Sequence, residues 1–84
     1  MGTWMVCEFL PVEYKKRLLE IATIDNLIAV GYTKKSAYQA KEKGIISDER
    51  CEKLVRVLGY RAKPVLIDAL QDFARQLNYS ISPY

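Results

Sequence analysis

The sequence contains no histidine. That removes the commonest general base and the commonest zinc ligand. Only two cysteines are present, Cys7 and Cys51, too far apart for a CxxC motif. Two thiols without histidine make a poor metal site, so no metal and no cofactor is expected. They read as one buried and one semi-exposed thiol in a reducing, intracellular, cytoplasmic setting, and whether they are bridged stays open. No apolar run approaches the roughly 20 residues that span a bilayer, so no membrane partner is expected. The apolar opening from Met1 to Leu10 lacks a basic n-region and is broken by Glu8, unlike a signal peptide. Internal repeats and low-complexity runs are absent. No segment alternates with period two for long enough to make a strand; residues 3–9 are ambiguous between an extended arm and cover for the core.

What is present fits one small domain. The chain has 84 residues, half of them hydrophobic and 27% charged, a globular composition. A chain this short buries only about 60–65% of its unfolded surface, so its core is thin and a deep catalytic cavity is not expected. Asp68 and Asp72, four apart, resemble a catalytic pair, but without histidine or cavity they read as a solvated face and the chain as no enzyme.

The punctuation predicts an all-α domain of five short helices spanning 12–77, behind an N-terminal arm (1–11) and ahead of an unstructured tail (78–84). Helix 1 follows Pro11 and sets Tyr14, Leu18, Leu19 and Ala22 on one face; its Lys15-Lys16-Arg17 run reads as solvated, with phosphate contact as the alternative. Thr23 caps helix 2, which carries Ile24, Leu27, Ile28 and Val30 and breaks at Gly31. Thr33 caps helix 3, Lys34 to Lys43, with Ala37 and Ala40 inward and Gly44 after it. Ser47 caps helix 4, with Asp48 and Glu49 in the first turn, Cys51, Leu54, Val55 and Leu58 inward, and Gly59 as the stop. Pro64 opens helix 5. Its stripe of Val65, Leu66, Ala69, Leu70, Phe73, Ala74 and Leu77 reads as core, or, being wide, partly as a homodimer seam through Leu70, Phe73 and Leu77. Trp4 and Phe9 read as core cover, or as a dimer arm.

Charge is localised. Lys34, Lys35, Lys41 and Lys43 against Glu42 give +3 within helix 3, which equals the net charge of the chain, +3. A helix so charged suits an anionic partner. A capped helix following a glycine turn, with small residues inside and hydrogen-bonding ones outside, is what a major-groove reading helix needs; Tyr32, after the glycine, is placed to point inward.

The run Val30-Gly31-Tyr32-Thr33-Lys34-Lys35-Ser36-Ala37-Tyr38-Gln39, then Gly44, then Ser47-Asp48-Glu49-Arg50 on to Leu54-Val55-Arg56-Val57-Leu58-Gly59, resembles the phage repressor/Cro type of helix-turn-helix domain (lambda-repressor-like). The likeness covers residues 12 to 77 in helix order and is sharpest over 27–59. It departs from the family pattern at Asn26, Leu27 and Ala37. It implies a compact five-helix bundle that binds double-stranded DNA, usually as a dimer. Carried over by position, Thr33 caps the recognition helix, and Lys34, Lys35, Ser36 and Gln39 face bases or phosphates. Lys41 and Lys43 lie farther along and would meet phosphates. Tyr38 either contacts a sugar-phosphate edge or packs on its neighbours. The expected function is sequence-specific DNA binding, as a transcriptional regulator of repressor type or the DNA-binding module of a recombination or partition protein. The alternative is a protein-interaction adaptor that keeps the fold without DNA binding.

Overall fold

A computed structural model describes residues 6–81, with side chains over 6–77. The described residues are all-helical. A 3-10 turn at Val6–Phe9 leads into α1 (Val12–Ile21), α2 (Ile24–Ala29), α3 (Lys34–Lys43) and α4 (Asp48–Leu58); a second 3-10 turn, Gly59–Ala62, feeds α5 (Lys63–Ile81). Four of these helices have ten residues or more, and α2 has six. The expected five-helix bundle is therefore a four-helix body with a short α2 inserted, because only six residues lie between the Thr23 cap and the Val30 C-cap.

Capping explains where the helices start. The Thr23 hydroxyl accepts from the Asn26 amide at 3.1 Å while the Asn26 side chain accepts from the Thr23 amide at 2.9 Å. Thr33 and Ser36 make the same reciprocal pair at 3.1 and 2.8 Å. Ser47 accepts from the Arg50 amide at 3.3 Å. Each such cap contributes about 1 kcal/mol. Asn26, a departure from the repressor pattern, thus has a capping role. Two of the stops are glycines, Gly44 after α3 and Gly59 after α4; Gly44 takes φ 69° and ψ 28°, the left-handed conformation that a Cβ disfavours.

The core lies around α1, which packs against α3, α4 and α5. Leu18, Leu19, Leu27, Leu54, Cys7 and Cys51 are fully buried, and no charged or polar residue joins them among the described residues. Ala37 and Ala40 face inward from α3, so α3 approaches α1 and α2 closely. Cys7 and Cys51 are joined by a disulfide that ties the first 3-10 turn to α4. This corrects the expectation of one buried and one semi-exposed thiol. It also removes the ground for a reducing setting, since such bridges persist chiefly in oxidising surroundings. The Cys7 amide donates to Glu52 Oε2 at 2.7 Å, a second tie at the same point.

Four further expectations are corrected. Helix continues through Ile81, so most of the expected tail belongs to α5. Its first residue is Lys63, with Pro64 second, because the second 3-10 turn runs straight into it. Phe9 does not cover the core: it is 81% exposed. Trp4 lies outside the described residues. Asp68 and Asp72 are not merely solvated; they hold α5 to α1. Asp68 pairs with Arg17 at 2.9 Å, and Asp72 accepts from the Tyr14 hydroxyl at 3.1 Å. Among the described residues no helix is long and apolar enough to cross a membrane.

Candidate nucleic-acid interface

α3 enters from a tight turn. Gly31 takes φ 108°, and Tyr32 then drops its ring to the body of the molecule, where it is nearly buried. The Arg50 guanidinium lies 4.4 Å from the centre of that ring. The chain then extends through Thr33, whose cap with Ser36 fixes the direction in which α3 starts.

Burial of Ala37 and Ala40 fixes the rotation of α3 about its axis. With 3.6 residues per turn, the opposite face carries Lys35, Tyr38, Gln39 and Glu42, with Lys34 and Lys43 at its margins. All six are exposed. Tyr38 is 56% exposed, which favours the surface-contact alternative over packing. Lys34 precedes Tyr38, and Lys35 precedes Gln39, by one turn each, so cation and hydrogen-bonding group stand in neighbouring rows.

The electrostatic setting of this face differs from that of the basic run of α1. Lys15 pairs with Asp48 and Arg17 with Asp68, so two members of the helix-1 basic run are occupied by acids. Lys34, Lys35 and Lys43 make no ion pair among the described residues. α1, α2 and α4 each carry an acid in their first turn, where the helix dipole is positive. α3 has none there and begins with two lysines; α5 also has none and begins with Lys63. Cations at that end are disfavoured by a few tenths of a kcal/mol up to about 1 kcal/mol each, a penalty that a bound anion would relieve.

Not every expected contact residue stands free on this face. Lys41 is half-buried and turns back across α1: its Nζ donates to the Ala22 carbonyl and reaches the Glu20 carbonyl at 3.5 Å. It caps the C-terminus of α1, as Arg61 does from the other side through the Ile21 carbonyl. Such a lysine is committed to its own fold, not to a phosphate. Ser36 is half-buried and its hydroxyl is engaged with Thr33, as is the Thr33 hydroxyl with Ser36. These two side chains orient α3. The remaining members, Lys34, Lys35, Tyr38, Gln39 and Lys43, are brought together on one surface.

One cation escaped the sequence reading of the site. Arg50 is exposed and sits against Tyr32, with its Nε 3.9 Å from where a Cβ on Gly31 would stand. It therefore flanks the turn that leads into α3, although it belongs to α4. Only its place in the first turn of α4, after Ser47-Asp48-Glu49, hints at this in the sequence; its contact with the turn is tertiary. The groups on this surface supply positive charge, amide and phenol hydrogen bonding and an aromatic face, a set suited to binding an anionic partner. Among the described residues no group of acids and cysteines could hold a metal ion. No family model, curated protein or solved structure matches this chain.

Proposed function

We propose that the protein binds double-stranded DNA by laying α3 in the major groove, with α2 and α3 acting as a helix-turn-helix. The observation that carries this reading is the start of α3: two adjacent exposed lysines that make no ion pair among the described residues and have no acid in the same helix turn, whereas Lys15 and Arg17 of α1 are paired with acids. Lys34, Lys35 and Lys43 would meet phosphates, with Arg50 beside the turn. Gln39, one turn beyond Lys35, is placed for paired hydrogen bonds to adenine. The resemblance of residues 27–59 to repressor/Cro domains supports the same reading, and regulation of transcription, or the DNA-binding step of a recombination or partition protein, is the role it suggests. Two copies paired through Leu70, Phe73 and Leu77 would present two α3 helices to a site of two-fold symmetry.

The exposed Tyr38 and the carboxylate of Glu42, both on the outward face, favour a second reading, the protein-interaction adaptor. Binding isotherms on preferred and scrambled duplexes at several salt concentrations separate the two. DNA binding predicts that Gln39→Ala relaxes preference at one base position by about 1–3 kcal/mol while leaving scrambled binding nearly intact. Lys43→Ala should weaken all sequences alike and make the salt slope shallower by about one unit. If Lys34→Ala, Lys35→Ala and Gln39→Ala change neither affinity nor preference, the adaptor reading replaces it.

A further inference from the structure

Away from α3, the first 3-10 turn and α5 wall an open groove of about 470 Å³, and none of its lining residues belongs to α2 or α3. Its apolar side chains stand in water: Phe9, Leu70 and Phe73 are 81%, 68% and 62% exposed. Asp72 is the one charged residue in the lining among the described residues. It accepts from the Tyr14 hydroxyl and pairs with no cation among those residues. We propose that this groove receives a short amphipathic helix of a second protein, one that carries lysine or arginine beside its apolar row. The inference rests neither on DNA binding by α3 nor on the pairing of two copies.

Shape selects a helix. Leu66, Leu70 and Phe73, at steps of four and three, form one wall, and the turn bearing Phe9 forms the other. From Leu66 to Gln76 the α5 wall runs roughly 15 Å, the length of about three helical turns. A groove of this kind holds anchors spaced three and four residues apart on one helix face. The disulfide and the Cys7 amide bond to Glu52 fix the first turn against α4, so Phe9 keeps its place and little ordering cost falls on that wall when a partner binds.

Charge selects the flank. The chain carries a net charge of +3, yet the groups near the groove are mostly acidic. Glu8 belongs to the walling turn and Glu13 to the first turn of α1, just past Pro11, and both are exposed. With Asp72 they place three carboxylates near the groove. The cations on the same elements are directed elsewhere. Lys15 and Arg17 are paired with Asp48 and Asp68, and Lys16 runs its stem past Gly44. Arg75 lies on the side of α5 opposite Leu66 and Phe73, given 3.6 residues per turn. Lys63 stands a turn before Leu66, roughly 13 Å along α5 from Asp72. A basic flank therefore meets opposite charge beside the apolar row, and an acidic one meets like charge. A second copy would bring its own Asp72 on the same helix, and so like charge, to this place. The partner helix and a second copy would compete for Leu70 and Phe73.

Fluorescence anisotropy of labelled synthetic peptides against the full chain tests the proposal. One peptide of about 15 residues, long enough to form a helix, sets leucines at steps of four and three with lysines beside them. The other has glutamate in place of each lysine. The lysine peptide should bind saturably, one per chain, and about tenfold or more tighter than the glutamate peptide. Phe73→Ala, at an exposed position, should keep the helical circular dichroism and weaken the lysine peptide by about tenfold. Asp72→Asn, which keeps an acceptor for Tyr14, should weaken it by about two- to fivefold and narrow the gap between the peptides. Lys35→Ala should leave both affinities unmoved. Absence of saturable binding, equal binding of the two peptides, or an affinity that Phe73→Ala and Asp72→Asn both leave unchanged overturns the proposal. So does sedimentation showing a dimer of the chain that the lysine peptide does not displace, which would give the groove to a second copy.

Discussion

At the residue scale, the lysines of α3 divide into two kinds that composition cannot separate. Lys41 spends its charge on the carbonyls that end α1, whereas Lys34, Lys35 and Lys43 stand in solvent. Lys41→Ala should therefore lower stability by about 1 kcal/mol, the worth of a charged hydrogen bond at a helix C-terminus, and change DNA affinity little. Lys35→Ala should do the opposite. Denaturant midpoints and binding isotherms on the same two proteins check this; equal loss of affinity from both would return Lys41 to the interface. Gly31 supplies a second test. Its φ of 108° lies in the left-handed half of backbone space, and the nearest atom to an added Cβ would be 3.9 Å away. Room is not the constraint, so the cost of Gly31→Val is conformational, about 1–3 kcal/mol. A thermal midpoint unmoved by this substitution would mean that the turn into α3 does not need glycine.

At the scale of elements, the contact between α1 and α5 carries a titratable reporter. Tyr14 has its pKa raised above the ordinary tyrosine value, first by removal from water and then by its hydroxyl bond to Asp72 and the carboxylate's charge. The neutral phenol is thus the form favoured in the fold. Its contribution is present in full below the unfolded-chain value and is lost as pH rises through the higher folded-state value. Of the six tyrosines, Tyr14 should ionise late in an alkaline absorbance titration, and Asp72→Asn should bring it back only part of the way, because its removal from water persists. A Tyr14 indistinguishable from the other tyrosines would mean that this contact is open in solution. Helix starts and stops were legible in the sequence because they are local: Thr23, Thr33 and Ser47 cap within three residues of themselves, and Gly31 and Gly44 break the chain where they stand. The inward set, Leu18, Leu27, Ala37 and Leu54, followed from periodicity. What was not legible is tertiary. Arg50 beside Tyr32, Lys41 across α1 and the pairing of Asp68 with Arg17 each join residues distant in sequence. The exposure of Phe73 depends on how far α1 extends alongside α5, which no local pattern encodes.

At the scale of the whole molecule, the thin core leans on one covalent bond. Cys7 and Cys51 stand 44 residues apart, and closing a loop of that length removes unfolded-chain entropy worth about 4 kcal/mol. Against the roughly 5–15 kcal/mol of a typical domain, that is a large share. Reduction by a dithiol should shift the denaturant midpoint down accordingly; an unchanged midpoint would show that the bridge leaves stability unaffected. The same bond divides the chain topologically. The closed ring holds α1, α2, α3 and the first turn of α4, while α5 hangs outside it. A single nick at Lys34 or Lys35 would leave both fragments covalently joined, whereas a nick at Arg61 would sever the only covalent link to α5. The proposed reading helix is thus sewn into the molecule, and the proposed pairing helix would then be held to it by packing and side-chain contacts alone.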